Sequence, residues 1–161
     1  MTLYEIIGTI ETAAMTNPAI NAIASNNIFA INAIPDVRYG VFGWTQGQHV
    51  LSADRNLMTY AFTLFYVDRL TENASNREII QSVGISVLSD ICRAIGARGA
   101  IRFTTFNQRF ADECAGVMCN IEVVGTADTL CVDMPYQVLI DRNGWYFVTA
   151  DNEKILVRNQ N

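Results

Sequence analysis

Chemistry in this chain would have to come from one histidine, four cysteines and sixteen carboxylates. A nucleophilic triad needs a Ser or Cys beside a base, and the only imidazole, His49, lies among Gln48, Val50 and Leu51 next to a glycine-punctuated turn. It reads as a surface or interface histidine. Cys114 follows Asp112 and Glu113, and acids close to a thiol raise its pKa, the wrong direction for a nucleophile. Cys92, Cys114, Cys119 and Cys131 make no zinc pattern, because the gap between Cys114 and Cys119 departs from C-x2-C and His49 is distant. Carboxylates pair only as sequence neighbours, as in Asp112–Glu113, which reads as a solvated loop. Neither G-x-x-x-x-G-K-[ST] nor G-x-G-x-x-G occurs. The aromatic run Tyr60, Phe62, Phe65, Tyr66 could stack bases, but without flanking Lys and Arg it reads as core. The expectation is a non-enzymatic protein with no metal and no cofactor.

Composition narrows the class further. At 161 residues the chain is expected to form a single domain, 1–161, with a core that needs no staples. Half the residues are apolar and 17% are charged, so the surface is short of charges and suits cover by a partner or by further copies. A net charge of −5 with scattered basic residues argues against phosphate-backbone binding. No apolar run approaches a membrane span, and the start Met-Thr-Leu-Tyr-Glu lacks the pattern of a signal peptide. Cytosolic synthesis and reduced, buried thiols are the expectation.

The elements that must position these residues centre on 57–96. Leu57–Asp68 is rich in aromatic and β-branched residues and reads as a central strand covered on both faces. A polar link leads to a helix capped by Ser75 with Glu78, with Ile80, Val83, Val87, Ile91 and Ile95 on its apolar stripe. Ile79, Ile85 and Leu88 are expected to widen that stripe, and Gly96 to stop the helix. Upstream, Thr2 and Glu5 make a second capping box for a helix over 2–16, ended by Asn17-Pro18. Residues 19–36 read as a short helix and an irregular link. Tyr39–Gln46 reads as a strand antiparallel to Leu57–Asp68, with Gly47–Asn56 a polar loop. Downstream, 101–106 and 117–124 read as strands around a loop at 107–116. Val138–Asp141 and Trp145–Thr149 flank an Asn143-Gly144 hairpin, and Lys154–Arg158 adds a last short strand. The fold class is α+β: a mainly antiparallel sheet with two principal helices packed on one side.

Two stretches carry a likeness to a known group. Phe42-Gly-Trp44-Thr-Gln46-Gly-Gln-His49 leads to Tyr60-Ala-Phe-Thr-Leu-Phe-Tyr-Val67-Asp68-Arg69-Leu70 and then Ser75-Asn76, and Phe106-Asn-Gln108-Arg109-Phe110-Ala-Asp112-Glu-Cys114-Ala115-Gly116 follows. Together, over about 35–125, they resemble small neck or tail-completion (tail terminator) proteins of tailed bacteriophages. The C-terminal third has no counterpart in the likeness. The resemblance implies a virion structural protein made in the bacterial host cytoplasm. It implies a homo-oligomeric ring, hexamer or dodecamer, that joins tail tube to head connector and is built head-to-tail from two different surfaces. It also implies DNA passing through the channel without specific binding, which an acidic lumen suits, and no membrane. Residue types suggest where such a ring would be held. Trp44, Gln46 and His49 form a candidate aromatic and polar interface anchor. Arg69 and Arg109 are candidates for charge-assisted bonds across subunits to Asp68, Glu72 or Asp112. The loop 46–56 is the candidate for reaching a neighbour or the lumen. The alternatives are an α+β ligand-binding domain or enzyme with a pocket between helix and sheet, and a host-derived interaction module.

Overall fold

A computed structural model describes residues 1–52, 57–126, 136–138 and 156–158. The chain forms two compact units, 1–127 and 128–161. In the second, Tyr136–Val138 (β7) pairs antiparallel with Leu156–Arg158 (β8). The expected Asn143-Gly144 hairpin and Cys131 lie outside the described residues.

The first unit is α+β, as its sequence leads one to expect. Its open six-stranded sheet runs Ala22–Ser25 (β1), Val41–Gln46 (β2), Leu57–Arg69 (β4), Glu113–Thr126 (β6) and Phe103–Arg109 (β5) in spatial order, with Val50–Ser52 (β3) also on β4. Every pairing is antiparallel except β1 with β2. Helices Leu3–Thr16 (α1) and Arg77–Ala94 (α2) share one core with one sheet face. Along β4, Tyr60, Phe62, Leu64 and Tyr66 point into that core by the two-residue alternation of a strand. Phe65 and Val67 point the other way, into a smaller cluster with Val41, Ile31 and Phe110. The second face of β4 is covered only at this end; Thr59, Ala61 and Thr63 stay half-exposed.

Helix α1 begins as expected: the Glu5 amide donates to the Thr2 hydroxyl at 3.3 Å and the Thr2 amide to the Glu5 carboxylate at 2.8 Å. Helix α2 ends as expected but starts differently. Gly96 adopts a φ of +66°, its amide donates to the Arg93 carbonyl and the Ala97 amide to the Cys92 carbonyl, a double C-terminal closure. At its N-terminus Ser75 does not cap. The N-cap is Asn76, whose side chain makes no capping bond because it faces backwards, accepting from the Thr71 amide at 3.0 Å and donating to the Arg69 carbonyl at 2.9 Å. Ile79 and Ile85 do not widen the stripe. At 100° per residue they lie roughly 110–130° from its centre, and Ile79 is 65% exposed.

Four further stretches depart from the expectation. Over 19–36, where a short helix and then an irregular link were expected, residues 22–25 form the parallel edge strand β1 and 28–33 a short 3-10 helix. Pairing with β2, which a local reading of Ala-Ile-Ala-Ser does not contain, decides the strand. Gly43 lies under this pairing, where a Cβ would strike the Phe65 ring and the Ala24 carbonyl. The polar loop 47–56 instead contains β3, and 53–56 lie outside the described residues. The expected loop 107–116 is a hairpin: β5 continues to Arg109 and β6 begins at Glu113. The Phe110 amide closes the turn on the Asp112 carbonyl at 2.9 Å.

Candidate functional site

Of the eight residues singled out in the sequence, Trp44 is buried in the core and the other seven lie toward two places separated along β4. Ala61 and Arg69 stand at their centres, eight positions and so roughly 26 Å apart at strand rise.

The first cluster is a bulge. Gln46 faces Phe62, but Val50 faces Thr59, so three residues on the β2–β3 side oppose two on β4. Such a bulge disrupts the ladder at Ala61. Its carbonyl accepts the Gly47 amide at 2.8 Å, and its own amide donates to Nδ1 of His49 at 3.3 Å. An imidazole that accepts at Nδ1 carries its proton on Nε2, and Nε2 lies 3.2 Å from the Gln46 amide oxygen, which accepts it. The ring also stands edge-on to Tyr60, with centroids 5.4 Å apart, and tilts over Phe62 at 6.0 Å. His49 therefore acts as a surrogate ladder residue. Both ring nitrogens are engaged within the fold.

Trp44 does not belong with this cluster. It is 5% exposed, packed edge-to-face on Phe62 at 6.2 Å within the helix-side core, and its indole N–H meets no acceptor among the described residues. The parity that puts Phe42 inward puts Trp44 inward too. It is a core residue rather than an exposed anchor.

The second cluster lies where β4 ends. Arg69 pairs with Asp112 at 3.1 Å within the same chain, so this pair, suggested as a contact between subunits, is already made inside one. The reason is register: Arg69 faces Cys114 and the Leu70 amide reaches the Glu113 carbonyl at 2.9 Å, which brings the β5–β6 turn beside the end of β4. Asp68 accepts from the Arg69 amide at 2.7 Å and from the Tyr66 hydroxyl at 3.5 Å. Arg109 is exposed opposite Glu113, and Glu72 is exposed on the link held by Asn76. The structure thus brings Asp68, Arg69 and Asp112 together; it gives Arg109 and Glu72 no ion pair among the described residues.

Beneath this patch sit buried titratable groups, of which Cys114 alone was marked by its acidic neighbours in the sequence. Burial pushes the Tyr66 hydroxyl up to about 12, with the Asp68 charge adding to it. Burial likewise lifts the Cys114 thiol to about 11; the Tyr39 hydroxyl beside it opposes this, and Asp112 and Asp68 reinforce it. The acids do act in the direction that the sequence suggested, but burial comes first. The Tyr39 hydroxyl is itself raised far above its usual range by burial, and Cys114 and Asp112 add to the shift. In the helix-side core, the interaction between the thiols of Cys92 and Cys119 raises Cys119 and lowers Cys92. Among the described residues Cys92, Cys114 and Cys119 are free and buried. Tyr66 and the three cysteines are buried, and the Tyr39 hydroxyl oxygen is enclosed although its ring is half-exposed. A strand with both faces apolar was the only signal that could have announced the others.

Among the described residues no three His, Cys, Asp or Glu side chains gather as metal ligands, and no helix is long and apolar enough to cross a membrane. The space between helix and sheet is filled by core side chains. An open groove of about 740 Å³ lies between α1 and α2, lined by Gly8, Thr9, Thr12, Ala13 and Ala94, with Glu5 and Asp90 on its walls. Fold and clusters together define an α+β domain in which Gln46 with His49, and Arg69 with Asp112, bind each other. No protein-family model matches this chain, and no curated protein does.

Proposed function

We propose that the protein is a non-enzymatic structural subunit of a tailed-phage virion, at the neck or tail end. In this reading it assembles with itself as a homo-oligomeric ring, hexamer or dodecamer, between the tail-tube and head-connector proteins, and DNA passes through its acidic channel unbound. It is made in the bacterial cytoplasm and needs no cofactor. The observation that carries the reading is the meeting of the two phage-like stretches. The end of Tyr60–Leu70 and the turn of Phe106–Gly116 come together through Arg69–Asp112 and the Leu70–Glu113 backbone bond. A shared likeness in segments distant in sequence and joined in space is what one conserved structural unit would give. A surface short of charge, on a chain with 17% charged residues, adds support.

The test is negative-stain imaging of the purified full chain at high concentration. Closed rings of uniform diameter are the expected result. A particle field with no rings, from protein that is strictly monomeric, overturns the proposal. The ligand-binding alternative would use the α1–α2 groove and expects that monomer.

A further inference from the structure

Among the described residues β5, the longest edge strand of the sheet, pairs with β6 alone. Edge strands are dangerous because unpaired N–H and C=O groups invite another strand, and proteins blunt them by shortness, charge, proline or a bulge. The other two edges are short, with four residues in β1 and three in β3. β5 has seven, Phe103-Thr-Thr-Phe-Asn-Gln-Arg109, with no proline, no bulge against β6, and no charge before its last residue. Thr104, Thr105, Asn107 and Gln108 are exposed.

Which backbone groups face out follows from the ladder. Ala61 turns both of its groups toward the bulge side, and the Leu70 amide, of opposite parity, turns toward Glu113 of β6. Alternation carried across β6 sends the N–H and C=O of Phe103, Thr105, Asn107 and Arg109 out of the sheet.

We infer that β5 is a self-pairing edge, which takes β5 of a second copy antiparallel about a two-fold axis at Phe106. The strand is complementary to its own reverse. In this register Thr105 faces Asn107 of the second copy and Thr104 faces Gln108, pairs that hydrogen-bond side chain to side chain. Phe106 faces Phe106 in a close, non-hydrogen-bonded position, where aromatic pairs add most. Phe103 faces Arg109, which keeps the two Arg109 charges roughly 20 Å apart by strand rise. All seven residues pair, with about eight inter-strand hydrogen bonds. A shift of two residues in either direction shortens the ladder. The contact is isologous and stands apart from ring closure, which needs two different surfaces.

The experiment uses the full chain. Thr105→Pro removes an outward N–H and leaves the β5–β6 ladder untouched. Light scattering of wild type is expected to give twice the 17.9 kDa chain mass, or an even multiple of it. Thr105→Pro, with an unchanged circular dichroism spectrum, is expected to halve that mass; Asn107→Pro replaces it if the first variant fails to fold. Under mild oxidation Phe106→Cys is expected to give disulfide-linked dimers beyond any from wild type. Wild type that stays monomeric, a proline variant that keeps the wild-type mass, or a Thr104→Cys variant that cross-links better than Phe106→Cys overturns the inference. Closed rings that keep the full wild-type mass in the proline variants overturn it while leaving the ring proposal standing; dimers that never close into rings do the reverse.

Discussion

Replacing His49 with alanine tests whether the lone histidine is a piece of the sheet. The variant removes the acceptor of the Ala61 amide, and the bulge geometry offers no carbonyl in its place. A buried N–H left without a partner costs about 1–3 kcal/mol. Loss of the edge contacts to Tyr60 and Phe62 adds about 0.5–1.5 kcal/mol. Because His49 is half-exposed, water meets part of that demand, and a net loss of about 2 kcal/mol is expected. With an m-value of about 2 kcal/mol/M, the urea midpoint falls by about 1 M. Tryptophan fluorescence follows the transition through buried Trp44. His49→Asn, whose side-chain oxygen can stand near the place of Nδ1, is expected to recover about half of the loss, and amide exchange at Ala61 to speed up in the alanine variant alone. Equal midpoints for wild type and His49→Ala, or no recovery with asparagine, would refute the surrogate-ladder account.

Further outcomes follow from the same geometry. Trp44→Ala is expected to cost about 3–5 kcal/mol, as truncation of a core aromatic does, so thermal melts should show a severely destabilised subunit; a stable variant that merely fails to assemble would return Trp44 to an interface. Ser75→Ala is expected to stay within about 0.5 kcal/mol of wild type, whereas Asn76→Ala, which frees the Thr71 amide and Arg69 carbonyl, should lose about 1–2 kcal/mol, read by chemical denaturation. The buried thiol of Cys114 makes stability depend on alkaline pH. The unfolded chain ionises it from its ordinary value of 9.0, the folded chain only at about 11, so the unfolded state binds fewer protons between these values and stability falls as pH rises through that window. The loss is at most about 3 kcal/mol, and urea titrations of Cys114→Ala across pH 8–11 should show a shallower decline than wild type.

The sequence was most legible where local chemistry decides structure. The Thr2–Glu5 box, the Gly96 stop and the alternation along β4 are each written within a few residues of where they act. It was least legible where a partner strand decides. Ala22–Ser25 becomes a strand only against β2, and Asn107–Arg109, polar because it forms an exposed edge, reads locally as loop. The bulge is a mismatch between two registers and cannot be seen in either strand alone. The candidate site shows both sides of this. The residue types at Gln46, His49, Asp68, Arg69 and Asp112 marked real polar clusters. Their partners turned out to be one another and the backbone, because the hairpin that sets Asp112 beside Arg69 was hidden in a stretch read as loop.

The most direct measurement of the account's central claim is the mass of the native assembly, taken by native mass spectrometry on the full chain at high concentration. The account predicts a closed species of six or twelve copies of the 17.9 kDa subunit. A single copy, or two copies and no more, would contradict the ring.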